Sequence, residues 1–541
     1  MRLINCRTLL LEEFVDHRQV EYAILSHTWE ENEEVLYNDF SGDLAKSKEK
    51  KGWRKIEQVC RLAQDDGLNF AWIDTCCIDK SSSAELSEAI NSMFVWYRDA
   101  KVCYAYLADH DSLDHSAQMK DSRWFKRGWT LQELIAPTSV RFYDRDWNLI
   151  GTKADLYRDL EGITGIGQEI LHQPNHNLEQ MLESMPIAKR MSWASNRVTT
   201  RIEDTAYCLL GIFGINLALL YGEGARAYTR LQEEIVRNTN DLSILGWQAE
   251  GTTDQPSVRG CFAGHPFEFR ESSDVEHINE LRFAPDFALT NKGLKLHTLL
   301  HYDQKSHLCF LELNCFESKH SNMRLAIYLQ HQGAGVYVRA LPDSVAKWNE
   351  RVLRNNAIDK YAENKQFFFT KSLDPGLIRS SPGLHGHDFL INEFNSAFTN
   401  EERAPQNLCD TATGLWITQG LHDFVGGQLT IFKRDPLKFK KFWLLFGFGY
   451  GYEPWVSVSP ASELLSMRIK ACNWRQLADY AYLPSPCRTL KVSFASGKKH
   501  YVHAGLKKIV YYGEEIHEIE MRLSVDKTFP QDLQTNGSNT D

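Results

Sequence analysis

The most constraining feature of this chain is a regular alternation of short apolar runs and amphipathic stretches from its start to about residue 147. Tyr22-Ala-Ile-Leu-Ser26 has the pattern of a short buried strand. Trp53, Ile56, Val59, Cys60 and Ala63 recur at helical spacing, and Gly67 marks the end of that helix. Phe70-Ala-Trp-Ile73 predicts a second strand, ending at Asp74. Ser81-Ser-Ser offers an N-cap to a helix over Ala84 to Arg98. Val102 to Leu107 predicts a third strand, Trp124 to Ile135 a third helix stopped by Pro137, and Val140 to Tyr143 a fourth strand. Strands that alternate with helices imply a parallel sheet covered by helices, an α/β domain over residues 1–150.

The pattern then changes twice. Residues 151–245 carry helical spacing at Asp155 to Leu160, Ile187 to Trp193, Arg201 to Phe213 and Ala225 to Val236, which reads as a helical extension. Residues 250–527 carry strand-like runs: Leu294 to Leu299, Leu308 to Leu313, and Leu325 to Leu329 joined to Val336 to Val338 by a hairpin loop. Later runs are Gly427 to Phe432, Phe442 to Phe446, Thr489 to Phe494 and Lys508 to Tyr512. A mainly β domain, a sandwich or barrel, is expected there, followed by a disordered polar tail over residues 528–541.

Composition narrows the function. The net charge of -10, from 71 acidic and 61 basic residues, argues against nucleic acid or an anionic membrane as the partner. No run approaches the length of a membrane span, and the N-terminus lacks a signal-peptide pattern. The 12 cysteines include no C-x-x-C pair, so buried thiols in a reducing, cytoplasmic setting are expected, with no metal site and no bound cofactor.

Three ordered motifs resemble the fungal heterokaryon-incompatibility (HET) domain: Tyr22-Ala-Ile-Leu-Ser-His-Thr-Trp29, Trp72-Ile-Asp-Thr-Cys-Cys-Ile-Asp-Lys80 and Arg127-Gly-Trp-Thr-Leu-Gln-Glu-Leu-Ile-Ala-Pro137. The resemblance covers about residues 20 to 145 and continues through Met191-Ser-Trp-Ala194, Thr200 to Cys208 and Leu220-Tyr-Gly-Glu-Gly224. Glu30 departs from a usual glycine and Leu217-Ala218 from a usual Met-Pro. The family implies a role in nonself recognition that ends in programmed cell death. A remoter resemblance is to Toll/interleukin-receptor (TIR) domains, several of which use a glutamate to cleave NAD. The run similar to their Trp-Cys-Leu-x-Glu-Leu is Trp129-Thr-Leu-Gln-Glu-Leu134, with Thr130 in the cysteine position. This resemblance implies Glu133 as the catalytic residue and NAD as a substrate.

The residues themselves allow more than one reading. Trp129 and Glu133 are four apart and share a helix face, so an aromatic ring would stand beside a carboxylate able to stabilise an oxocarbenium-like state. The alternative is a solvated glutamate neutralised by Lys126 or Arg127. Ser26, His27 and Trp29 follow an apolar strand, where open parallel sheets bind ligands; an ordinary loop is the alternative. Asp74, at the next strand end, could orient a ligand hydroxyl or pair with Arg127, or simply shape a turn. Asp79 reads as a cap. Cys76 and Cys77 read as buried thiols rather than nucleophiles. Arg201, Glu203 and Asp204 read as an ion-pair network. Gly447-Phe-Gly-Tyr-Gly451, the pairs His297/His301 and His385/His387, and Gly497-Lys498 lack the context of nucleotide or metal motifs. Self-association and a protein partner for the β-rich region are the partner readings. The competing function is a self-assembling, non-enzymatic adaptor.

Overall fold

The computed structural model describes residues 1–42, 44–112, 118–172, 177–250, 258–278, 287–302, 309–318, 323–333, 336–348, 363–371, 388–391, 398–404, 409, 414–416, 425–432, 441–448, 454–460, 488–493, 499–511 and 514–528. The expected tail beyond Thr528, together with His385, His387 and Gly497-Lys498, lies outside these residues.

Seven strands form the first sheet: β1 (Arg2–Asn5), β2 (Leu11–Glu13), β3 (Tyr22–His27), β4 (Phe70–Trp72), β5 (Val102–Tyr106), β6 (Val140–Tyr143) and β7 (Leu149–Thr152). Their order is β2-β1-β4-β3-β5-β6-β7. β3 pairs in parallel with β4 and β5, and β5 with β6. The expected parallel sheet is thus present at the centre, but the sheet as a whole is mixed, because β1–β2, β1–β4 and β6–β7 are antiparallel. The links from β1 to β2 and from β6 to β7 are too short for a crossover, so those pairs must be hairpins. β3 is central and all six of its residues are buried, as expected of a strand covered on both faces.

The helices follow their apolar spacing. Trp53–Asp65 buries Trp53, Ile56, Val59, Cys60 and Ala63. Gly67, at φ +77°, turns the chain so that the Leu68 amide donates to Ala63 O (2.7 Å), a closure that favours glycine. Ser82 caps Ser83–Asp99 by accepting from the Glu85 amide. The third predicted helix is broken into Arg123–Lys126 and Thr130–Ile135. Between them Arg127 is extended and bridges Val198, and the Gly128 amide donates to Val198 O (2.9 Å). Backbone partners supplied from a distant segment thus replace the next helical turn.

Beyond the first sheet, short helices include Tyr157–Thr164, Ile187–Ser192, Asp204–Tyr207, Leu210–Phe213 and Arg226–Asn238. The pattern over Arg201 to Phe213 is therefore two short helices, closed at Gly214 with φ +64°. A nine-stranded, largely antiparallel sheet follows and includes the expected hairpin of Arg324–Gly333 with Val336–Ala340. Five- and four-stranded sheets complete the described chain. Buried apolar side chains make one continuous core from Leu3 to Phe369. A second core joins Phe389, Trp416, Val502 and Ile519 of the five-stranded sheet to Phe442, Leu444, Phe446, Val456 and Val458 of the four-stranded one, which is sandwich packing. The nine-stranded sheet thus shares its core with the α/β and helical segments. Arg339, fully buried, ties them together by donating to Leu245 O (2.7 Å) and Trp247 O (3.0 Å).

Candidate functional site

The parallel strands β3 and β4 end side by side, so Ser26 and His27 stand beside Asp74, which begins the short helix Asp74–Cys77. His27 Nε2 lies 3.0 Å from Asp74 Oδ1, and Lys55 Nζ lies 3.2 Å from His27 Nδ1. An ammonium can only donate, so Nδ1 accepts and the ring proton sits on Nε2, facing the carboxylate. Burial and the Lys55 charge lower the His27 pKa, against the pull of Asp74, which keeps the ring neutral at neutral pH. Lys55 is itself paired with Glu34 and donates to Thr28 O (3.1 Å). Burial pushes the Asp74 carboxyl up, but Lys80, the His27 bond and Arg127 outweigh it and hold the group well below the usual carboxylate range.

Glu133 comes from the helix Thr130–Ile135, every residue of which is buried. The helix that carries Glu133 packs against β3, and Ser26 Oγ donates to Glu133 Oε2. Trp124 Nε1 in turn donates to Ser26 Oγ (2.7 Å), which fixes the hydroxyl's orientation. Glu133 is 7% exposed, so the solvated-glutamate reading does not hold. Burial pushes its carboxyl up to about 8, while the Ser26 bond and the Arg127 charge pull it down. At neutral pH the group is mostly protonated, a carboxylic acid poised to ionise when a cation arrives.

The remaining sequence candidates separate. Trp29 Nε1 donates to Asp74 Oδ2 (3.1 Å), and the Arg127 guanidinium lies 5.2 Å from the Trp29 ring centroid. Ser26, His27, Trp29, Asp74, Arg127 and Glu133 therefore form one connected group at the strand ends. Trp129 turns away from it: its indole donates to Asp204 Oδ2 (3.3 Å), in the helical segment. Cys76 and Cys77 are buried, and burial pushes the Cys76 thiol up, as a thiol rather than a nucleophile requires. Asp79 accepts from the Ser81 amide (2.9 Å) and hydroxyl (2.6 Å), a local turn, while the cap is Ser82. The expected ion-pair network is instead built on neutral donors. Glu203 accepts from the Gly222 (2.7 Å) and Gly224 (3.1 Å) amides, Asp204 accepts from Tyr221 Oη (3.0 Å), and Arg201 lies over the Tyr221 ring.

Four further residues build the site without having been singled out in the sequence. Trp124 and Lys55 orient Ser26 and His27. Lys80 lies with its Nζ 3.6 Å from the Trp29 ring centroid; its place in the motif Trp72 to Lys80 was the available signal. Arg197 is buried and donates to Arg127 O and Thr130 Oγ1, both at 2.8 Å, so it grips the start of the glutamate helix. No local pattern marks Arg197, because its role depends on a segment 67 residues downstream of Thr130 folding back.

Among the described residues, one group of candidate metal donors comes together: Asp241, His277 and Cys315, with donor atoms within 4.8 Å of one another. Asp241 already accepts from the Ile187 amide (2.7 Å) and the Ser243 amide (2.8 Å) and pairs with His277 (3.2 Å). Capping and ion pairing account for that cluster. Gly447 lies within the strand Lys441–Phe448, paired on both sides, and the next described element is the strand Pro454–Pro460 rather than a helix that could receive a dinucleotide. His301 lies in the strand Gly293–Tyr302 with His297. Among the described residues no helix is long and apolar enough to cross a membrane.

A mixed sheet with polar groups gathered at the ends of its central parallel strands defines an α/β module, and its sequence identifies which. Residues 22–121 match the family model described as Heterokaryon incompatibility protein (HET), so the chain carries a HET domain. Over 234 residues it is 47% identical to the Vegetative incompatibility protein HET-E-1 of Podospora anserina, which covers 41% of this chain and 17% of that protein. The chain thus spans about a sixth of that relative's length. Glu133 lies beyond the segment that the family model matches.

Proposed function

We propose that this chain is an effector of fungal nonself recognition that drives programmed cell death by cleaving the nicotinamide glycosidic bond of NAD, with Glu133 as the catalytic residue. The observation that carries the reading is the buried Trp124–Ser26–Glu133 hydrogen-bond chain at the carboxyl ends of the parallel strands, where open sheets of this kind bind ligands. In the proposed reaction the bond between the ribose C1′ and the nicotinamide nitrogen breaks. Nicotinamide leaves neutral with the bonding pair, and an oxocarbenium ion is left on the ribose. Water adds to C1′ and releases a proton, giving ADP-ribose. The positive nicotinamide ring favours the ionised form of Glu133, and the carboxylate then stabilises the oxocarbenium charge. Asp74, fixed by His27 and Trp29, is placed to accept from ligand hydroxyls. The test is nicotinamide release from NAD by the chain and by its Glu133→Ala variant. Release is expected from the first and a loss of at least about a hundredfold in the second; equal turnover in both would remove Glu133 from the chemistry.

A specific observation favours a second reading, a self-assembling adaptor. Val198, Ile202 and Leu220 in the helical segment are 69%, 57% and 52% exposed, and exposed apolar side chains of that size suit contact with another chain. Cell killing that persists in Glu133→Ala, together with a particle size that grows with concentration, selects the adaptor. A protein partner for the β-rich region is compatible with either reading.

A further inference from the structure

Lys80 ends the strand-loop motif two residues before the N-cap Ser82. Its Nζ is shielded from solvent and has no hydrogen-bond acceptor among the described residues. A buried ammonium without an acceptor is costly, and a face-on indole offsets only part of that cost. What covers the nitrogen is Trp29, whose ring centroid is 3.6 Å away and which is itself 37% exposed. The cover is therefore a partly exposed side chain whose indole N–H is shared between the two Asp74 oxygens (3.1 and 3.4 Å).

Arg127 brings a second cation to the same indole, 5.2 Å from its centroid. Its charge also bears on Asp74 and on Glu133. The local charge can be counted. Lys80 and Arg127 are positive and Asp74 is negative; His27 is neutral and Glu133 is protonated at neutral pH. Lys55 and Glu34 cancel each other behind His27. At this indole two cations, Lys80 and Arg127, thus accompany the single carboxylate of Asp74, in a chain whose net charge is -10. With cations above and beside it, Trp29 does not offer those positions to a base or a nicotinamide ring.

We infer that Lys80 and Arg127 form a phosphate subsite beside Trp29 that takes the diphosphate of a nucleotide whose glycosidic end faces Ser26 and Glu133. Two cations against one indole present donors to a diphosphate in the way charge-assisted pairs do. The inference rests on the nucleotide reading of the site but is independent of whether the glycosidic bond is cleaved.

Calorimetric titration of the full chain with inorganic pyrophosphate, ADP and adenosine provides the test. Pyrophosphate and ADP should bind, and both affinities should fall about tenfold or more in Lys80→Met, with adenosine unaffected. Lys80→Arg, which keeps the charge, should retain most of the binding. Arg127→Met should show the same selective loss, which gives a second readout should Lys80→Met not fold. Pyrophosphate that fails to bind the native chain, or binds Lys80→Met and Arg127→Met as tightly, overturns the subsite. NAD cleavage with unchanged pyrophosphate affinity in both variants would leave the reaction standing and remove the subsite. Pyrophosphate binding lost in the variants, without NAD cleavage by the native chain, supports the subsite and removes the reaction.

Discussion

At the scale of the residue, Glu133 and Ser26 set the pH behaviour of the site. The folded-state pKa of Glu133 is raised from 4.5 to about 8. Its contribution to stability is therefore fully present below the unfolded value and is lost as pH rises through the folded one. Between about pH 5 and about pH 8 this group alone should lower the unfolding free energy by roughly 1.4 kcal/mol per pH unit. Urea denaturation across that window should show the decline in the native chain and a flatter profile in Glu133→Gln; parallel profiles would place the titration elsewhere. Asp74 acts with the opposite sign, because its folded pKa is depressed: its contribution is present above 3.8 and lost as pH falls further. Ser26→Ala removes the donor to Glu133 and the acceptor of Trp124 Nε1, at a cost of about 1–3 kcal/mol. Since the Ser26 bond lowers the Glu133 pKa, its loss should move the ascending limb of any Glu133-dependent activity to higher pH. A limb that stays in place in Ser26→Ala would break the link between the two residues.

At the scale of the element, the segment that matters is the six-residue helix Thr130–Ile135. So short a helix is not stable by itself in water; its start is held by Arg197 and by the bridge of Arg127 to Val198. Gly128 sits in this clamp. A Cβ there would lie 2.6 Å from Thr199 Cγ2 and 3.0 Å from Cys208 Sγ. Gly128→Ala should therefore destabilise the chain by about 1–3 kcal/mol. Adding Thr199→Ser, which deletes the nearer methyl group, should recover part of the loss. Thermal melting of the single and double variants reads this directly, and no recovery in the double variant would mean that the clash lies elsewhere. The same clamp explains why a helix expected to run from Trp124 to Ile135 is broken: hydrogen bonds made by Arg197 and Val198 replace those of the missing turn.

At the scale of the molecule, the first core runs from Leu3 to Phe369 without a break, whereas the second begins at Phe389. A chain ended at residue 250 would expose Ile244, Leu245 and Trp247, now fully buried, and would lose Arg339, which satisfies the carbonyls of Leu245 and Trp247. A chain ended at residue 371 keeps that core and the Lys371–Glu233 ion pair (3.0 Å). The shorter chain should aggregate or melt at lower temperature and the longer one should melt cooperatively. Equal melting of the two would contradict the shared core.

Much of this was legible in the sequence, for a definite reason. Strand and helix periodicity is set by which residues must leave water, so the ends of β3, β4, β5 and β6 and the helices Trp53–Asp65 and Ser83–Asp99 fall within a residue or two of their apolar patterns. The motifs likewise held Ser26, His27, Trp29, Asp74, Arg127 and Glu133. Direction was not legible: β1, β2 and β7 carry little periodicity, and only pairing decides that they run antiparallel. Side-chain partners were not legible either. Sequence spacing put Trp129 beside Glu133, but the approach of Asp204 turned the indole away, while Ser26 and Trp124 took its place. The local chain determined which residues could form the site. Burial, long-range hydrogen bonds and the arrival of Lys80, Arg197 and Val198 decided their contacts, because a carboxyl's charge state and a short helix's position depend on neighbours that only the folded chain supplies.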